Sequence, residues 1–164
     1  MIRETRVEDA QALLDFTRQV GGETGYLTFG AEGIGHSLEA QQSILEAVAA
    51  SERNLFLVAE KDGNIIGAAN LSVYSRERLR HRGEIGISVR QAYHQQGIGT
   101  ALLTHLIDHA RHIGLKIITL EVRSDNVAAI ALYKKFGFKH YGTLERTFHI
   151  DGQYFDTDYM SLHL

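Results

Sequence analysis

Ala10, Leu13, Leu14 and Phe16 recur between Asp9 and Val20 at the three- and four-residue intervals of one buried helix face. The same period predicts a helix from Ser37 to about Ala50, with Leu38, Ile44, Leu45 and Val48 turned inward. There Ser37 is the expected N-cap, and Glu39 sits near the positive end of the helix dipole. The strongest stripe runs from about Gly97 to Ile113 through Leu102, Leu103, Leu106, Ile107 and Ala110, with Gly114 placed to end it. A fourth helix is predicted over Asn126 to Phe136, closed by Gly137.

Shorter apolar runs and two-residue alternation predict strands at Ile2 to Arg6, Leu55 to Glu60, Ile65 to Tyr74, Glu84 to Val89, Ile117 to Val122, Phe138 to Phe148 and Tyr154 to Leu162. Lys61-Asp62-Gly63-Asn64 and Asp151-Gly152 are turn sequences, so each joins a hairpin. In Glu84 to Val89 the apolar Ile85, Ile87 and Val89 share one face, and Glu84, Gly86 and Ser88 the other. Arg76 to Gly83 is a connection, and no internal repeat is present. Gly21 to His36 fits neither period. Its six glycines surround Tyr26, Leu27 and Phe29, too Gly-rich for a regular element and too apolar for a solvated linker, so a lid is expected.

The 164 residues suit one domain, 1–164, expected to bury roughly 70% of its unfolded surface. Hydrophobic residues at 44% and charged residues at 23% are globular values, which excludes a disordered or fibrous chain. Absence of cysteine removes disulfides, thiolate metal sites and a cysteine nucleophile. A formal net charge of −3 lacks the field expected for a nucleic-acid partner. With no apolar signal core and no stretch near the roughly 18 apolar residues of a span, we expect a cytoplasmic location and no membrane partner.

Candidate chemistry begins where Val89 leads through Tyr93, His94, Gln95 and Gln96 to Gly97, Ile98, Gly99 and Thr100, directly ahead of the most apolar helix. Glycines let a ligand approach the backbone, and the first amides of a helix have no internal partner, so they present N–H groups to a phosphate or diphosphate. A lone G-x-G also occurs in connections that bind nothing. A dinucleotide fold would use Glu121 on a ribose, but it is opposed by Leu102 at the third glycine position, by the long Val89 to Gly97 segment and by the preceding antiparallel strands. Further on, Asn126, Ile130 and Tyr133 share a helix face; alone they read as an N-cap and core residues.

Together these blocks resemble the GNAT superfamily of N-acetyltransferases, from about Glu84 to Phe138 in residues and over nearly the whole chain in element order. The family's acyl-CoA loop, Q/R-x-x-G-x-G/A, is matched by His94-Gln95-Gln96-Gly97-Ile98-Gly99, with His94 in place of the usual Gln or Arg. Its N-x-x-A-x-x-L-Y-x-x-x-G-F helix is matched by Asn126 to Phe138. The stretch from Leu120-Glu121-Val122-Arg123 to Phe138 is similar to ribosomal-protein-alanine acetyltransferases.

The resemblance implies an α/β fold of the α+β type: a mixed, mostly antiparallel sheet flanked by helices, with Glu84 to Val89 and Ile117 to Val122 splayed around the pantetheine arm of acetyl-CoA. In that picture Ile87, Ser88 and Val89 meet the pantetheine and thioester, while Gln95, Gln96, Gly97, Ile98, Gly99 and Thr100 hold the diphosphate. Asn126 and Tyr133 contact the arm, and Tyr133 is the general acid for the departing thiolate. The acceptor is a primary amine of a small molecule or a protein N-terminus, attacking directly in a ternary complex without a metal. An alkyl amine with a pKa of about 10 is protonated at neutral pH, so a base is needed, and Glu121 and Glu84 are the candidates. A strand amide near Val89 is the expected oxyanion donor. The acceptor pocket is expected between Gly21 to His36, the Glu84 strand and the last hairpin, with Tyr26, Phe29, Tyr154 and Tyr159 as walls. A CoA-binding sensor without turnover is the alternative, and a homodimer is an admissible assembly.

Two clusters stand outside this scheme. His105, Asp108, His109 and His112 share a helix face and approach an inverted zinc-protease signature, but lack its glutamate, so a solvated face is expected. Arg76, Arg78, Arg80, His81 and Arg82 read as a solvated basic turn, or else as a contact for an anionic acceptor or a CoA phosphate.

Overall fold

Along the chain run β1 (Ile2–Glu4), α1 (Ala10–Glu23), α2 (Leu38–Ala49), β2 (Leu55–Lys61), β3 (Asn64–Val73), β4 (Arg82–Val89), α3 (Ile98–His112), β5 (Ile117–Arg123), α4 (Val127–Lys135), β6 (Lys139–Ile150) and β7 (Gln153–His163). The computed structural model describes every residue from Met1 to Leu164. The strands form one seven-stranded sheet in the order β1-β2-β3-β4-β5-β7-β6. Only β4 and β5 are parallel; every other neighbouring pair is antiparallel.

The periodicities predict this element order correctly, and the differences lie at the boundaries. The β2–β3 loop is two residues rather than four. Asp62 and Gly63 take φ of 51° and 76°, the left-handed pair of a type I′ turn, so Lys61 and Asn64 are paired strand ends. Helix α1 continues through Gly21 and Gly22 to Glu23, into the stretch expected to be irregular. Tertiary contact favours glycine at position 21: a Cβ on Gly21 would collide with the Gly30 carbonyl, so the returning chain lies directly on the helix.

Strand alternation puts a core on each face of the sheet. Leu102, Leu103 and Leu106 of α3 are fully buried against Leu57, Ile118 and Met160. Leu13, Phe16 and Val20 of α1 and Leu45 of α2 pack on Val58 and Ala68 on the opposite face. Each such leucine contributes about 2 kcal/mol of burial free energy. Helices α1 and α2 pack on β3 and β2. Farther across, the same face carries Glu84, Gly86 and Ser88 on β4, and Thr119, Glu121 and Arg123 on β5. This polar part of the face is where the site forms.

Candidate active site

β4 and β5 are in register at Arg82–Ile117, Gly83–Ile118 and Glu84–Thr119, and nowhere beyond. Each strand continues, but with a different partner. β3 holds β4 out to Val89, and β7 holds β5 out to Arg123, so the two follow their own antiparallel neighbours and part. The Tyr74 N–H donates to the Arg82 carbonyl and the Arg90 N–H to the Ile66 carbonyl, so the even-numbered residues of β4 bond to β3. The main-chain groups of Ile87 and Val89 therefore face the gap. Ser88 differs from the expectation: its backbone belongs to the β3 ladder, and its side chain enters the site.

A cavity of about 530 Å³ occupies the divergence. Gly86, Ile87 and Ser88 form one wall, and Glu121, Val122 and Arg123 the other; α4 adds Asn126, Ala129 and Tyr133. Asn126 combines two roles, since its Oδ1 caps α4 by accepting from the Ala129 N–H at 3.3 Å while the residue lines the cavity. Ala129, not Ile130, stands between Asn126 and Tyr133 on the lining, because Asn126 is a non-helical cap and the face is rotated by one residue.

Tyr133 is only 7% exposed and packs its ring 5.7 Å from that of Phe138. Its hydroxyl has no partner in the protein yet is not sealed off, so it opens on the cavity. Burial pushes its pKa up to about 12. The phenol thus holds its proton across the physiological range.

After Val89 a single 3-10 turn, Gln91–Tyr93, leads to α3. His94 does not extend outward; its Nε2 donates to the Val89 carbonyl at 2.8 Å and closes the loop. Gln96 also folds back, donating from Nε2 to the Ala92 carbonyl at 3.1 Å. Gln95 and Gly97 adopt φ of 60° and 80°, and the Gly97 cap supplies no side-chain acceptor. The amides of Ile98, Gly99 and Thr100 are therefore free to bind an anion. Free main-chain donors thus occur both in the strand gap and at the α3 terminus, which is what a pantetheine diphosphate requires.

The two carboxylates are placed differently. Glu84 accepts from the Tyr74 hydroxyl at 2.8 Å, and this bond raises the Tyr74 pKa. It lines an outer cavity of about 320 Å³ with Arg82, Thr119, Tyr141 and Tyr159. Ile85 and Glu121 line both cavities, so of the two carboxylates only Glu121 connects the Tyr133 side to the outer opening.

Of the four expected acceptor walls, Tyr26 and Phe29 line the main cavity. Tyr159 lies in the outer one, opposite Glu121 in the β5–β7 register, where desolvation and then the Glu121 charge raise its pKa. Tyr154 reaches neither cavity. It stands near the β6–β7 turn, 59% exposed and stacked on His149 at 4.5 Å; Phe148 and Thr157 reach the cavity from this hairpin instead.

Arg123 was not assigned a role by the sequence pattern, yet it organises the pocket. Only 9% exposed, it donates to both Asp125 carboxylate oxygens at 2.6 and 2.7 Å and to the Gly25 carbonyl at 2.8 Å. Its guanidinium lies 4.8 Å from the Tyr26 ring centroid and 3.8 Å from that of Phe155. The pairing holds the Asp125 carboxyl below its usual pKa. The segment from Thr24 to Ser37 is thereby pinned across the cavity, and the Ile34 N–H on Thr17 Oγ1 at 3.3 Å adds a second anchor. It is a strap rather than a free lid. An arginine two residues after Glu121 on one strand face, followed by Asp125, is the signal available in sequence; its partner Gly25 is not.

The histidines of α3 have separate partners. His105 Nδ1 bonds the Ala101 carbonyl at 2.8 Å, His109 Nε2 the Arg53 carbonyl at 3.0 Å, and Asp108 pairs with Arg111 at 3.6 Å. In the basic connection Arg80 pairs with Glu77 at 3.2 Å, whereas Arg82 and Gly83, expected in that connection, begin β4, with Arg82 over the Tyr74 ring. No helix is long and apolar enough to cross a membrane.

Residues 25–138 match the family model described as acetyltransferase (GNAT) family. The chain is 34% identical over 106 residues to the L-amino acid N-acetyltransferase AaaT of Escherichia coli, covering 64% of this chain and 65% of that protein. It is 46% identical over 63 residues to a ribosomal-protein-alanine N-acetyltransferase of the same species, covering 38% and 42% respectively. Each alignment spans less than two thirds of the relative's length. Over 100% of this chain and 99% of the other, the fold is similar to a solved acetyltransferase of the GNAT family from Streptococcus pneumoniae, with 32% identity and a TM-score of 0.95.

Proposed function

The chain belongs to the GNAT acetyltransferase family, and on that premise we propose that it transfers the acetyl group of acetyl-CoA to a primary amine by direct attack while both substrates are bound. The observation that carries this reading is the divergence of β4 and β5, which leaves main-chain donors of Ile87 and Val89 facing a cavity into which the unpartnered Tyr133 hydroxyl opens. The named relatives act on amines of an amino acid and of a protein alanine, which supports an amine acceptor in general and neither one in particular.

Acetyl-CoA enters as a substrate. Its diphosphate is assigned to the free amides of Ile98, Gly99 and Thr100, with Gln95, Gln96 and Gly97 shaping the approach by backbone conformation. The arm lies between Ile87 to Val89 and Asn126. His94 replaces the family's usual side chain by bracing the loop on Val89, so binding here relies on main chain.

A thioester is already activated, and the remaining barriers concern protons and the developing oxyanion. Glu121 is the base we favour over Glu84, because of the two only Glu121 borders both the reaction cavity and the outer one, and so can take the amine's proton and release it to solvent. The N–H of Val89 or Ile87 stabilises the oxyanion. Tyr133 donates to the departing sulfur. With its pKa of about 12 it is a weaker acid than an alkyl thiol, near about 8.5, so it acts first as a hydrogen-bond donor. Full proton transfer becomes favourable to the extent that burial also raises the thiolate.

The reading is tested by mixing purified protein with acetyl-CoA and a panel of primary amines while following free CoA thiol. Amine-dependent thiol release is expected. Acetyl-CoA binding with no release by any amine would leave a binding module instead.

A further inference from the structure

We propose that the acceptor is a small primary amine carried on an apolar body, with its ammonium beside Glu121 and its hydrocarbon in the pocket beneath the Thr24–Ser37 strap. This inference rests on the acetyltransferase reading and adds the substrate class to it.

The pocket leaves apolar surface uncovered. Ile34 on the strap and Ile44 on α2 are 43% and 37% exposed, and both border the cavity with Phe29, Phe56 and Phe148. Such side chains gain by covering a hydrocarbon and gain nothing from a hydrated polar chain. The charge distribution points the same way. Glu121 is the one acid of the lining, and it has no ion-pair partner. Arg123 is the one arginine or lysine there, and its charge is met by both Asp125 oxygens while Nη1 is engaged by the Gly25 carbonyl. His36 Nδ1 is occupied by Gln41 Oε1 at 3.0 Å.

One unpaired negative charge beside an apolar chamber suits one ammonium on a hydrocarbon. An acceptor carboxylate would meet an arginine already paired and a glutamate of like sign. A polyamine would have to strip water from a second ammonium in apolar surroundings. A protein N-terminus would have to enter by the outer opening beside Glu121, because the strap pinned by Arg123 closes the other side, and would leave the apolar chamber unfilled.

The experiment measures kcat/KM, by thiol release, for unbranched primary amines of increasing length and for phenethylamine. It compares each with an amino acid of the same side chain, with spermidine and with a short alanine-initiated peptide. We expect kcat/KM to rise about fourfold per added methylene until the pocket fills, with the matched amino acids, spermidine and the peptide at least about tenfold poorer. Independence of chain length, or an amino acid, polyamine or peptide outperforming its apolar counterpart, overturns the proposal and leaves the acetyltransferase reading intact. Binding of acetyl-CoA by calorimetry with no acceptor turned over defeats both. Ile44→Asn and Ile34→Ser, each at a partly exposed position, should flatten the length dependence without changing KM for acetyl-CoA or the melting temperature. A length dependence preserved in both variants also overturns the proposal.

Discussion

Arg123 and Gly25 are 98 positions apart, and the guanidinium of one donates to the carbonyl of the other at 2.8 Å. This bond joins the far end of β5, two residues beyond Glu121, to the strap that roofs the pocket. Hydrogen bonds to charged groups contribute roughly 1.5–3 kcal/mol. Arg123→Ala should therefore raise KM for the acceptor at least about tenfold, with KM for acetyl-CoA nearly unchanged, and should speed proteolysis within residues 24–37. Equal changes in both Michaelis constants would show that Arg123 supports the whole sheet rather than the strap.

Tyr133→Phe removes the one hydroxyl that α4 presents to the cavity without a protein partner. Loss of a positioned proton donor costs about a hundredfold or more in kcat, while KM for acetyl-CoA should change little. Because burial raises the phenol to about 12, kcat of the parent protein should show no alkaline fall between pH 9 and pH 10 from this group. A descending limb there that disappears in Tyr133→Phe would contradict that environment.

Glu121→Gln and Glu84→Gln separate the two candidate bases. If Glu121 accepts the amine's proton, Glu121→Gln lowers kcat by about a hundredfold. Glu84→Gln should cost only a small factor, since that carboxylate faces the outer cavity and accepts from Tyr74. The reverse ranking would reassign the base.

Gly97 and Gly99 should respond to alanine for different reasons. At Gly97 the space is open but φ is 80°, so Gly97→Ala strains the loop by about 1 kcal/mol and tilts the free amides. At Gly99 a Cβ would stand 3.3 Å from Leu132 Cδ2, contact that a small shift of α4 relieves. Titration calorimetry with acetyl-CoA should show the larger affinity loss for Gly97→Ala.

Acid stability should be governed in part by Arg3 and Asp9, joined by two bonds of 2.7 and 2.9 Å. The Arg3 guanidinium lowers the Asp9 pKa below its unfolded value. The folded state gains from the ionised form, so this contribution is present above about pH 4 and is lost as pH falls through the lowered folded value. Asp9→Asn should lower stability at pH 7 by on the order of 1 kcal/mol, and the difference from the parent should shrink by pH 2 in urea titrations.

Much of the fold was legible because its signals are local. A helix needs a stripe at its own period, a hairpin needs residues that tolerate left-handed φ, and Gly114 and Gly137, at φ of 76° and 95°, close their helices where the pattern places them. The Gly97 loop and the Asn126 cap are local in the same sense, and so were found. The helix face shared by Asn126, Ile130 and Tyr133, and the lid expected at Gly21 to His36, differ in the structure because each depends on how one element rotates against or lies upon another. Tyr154 failed as a wall because strand alternation constrains which way a residue faces but not how far along the hairpin the pocket lies.

By itself, then, the order of residues determined the element sequence, the turn chemistry and the uncapped α3 terminus, all of which follow from interactions within a few positions of chain. Family resemblance implied a splayed strand pair, but only the tertiary structure decided that β4 and β5 part just after Glu84, that Glu121 rather than Glu84 borders both cavities, and that Arg123 fastens Gly25. Those outcomes depend on competing antiparallel partners on either side of one parallel pair and on contacts across nearly a hundred residues, where geometry is set by packing of the whole sheet.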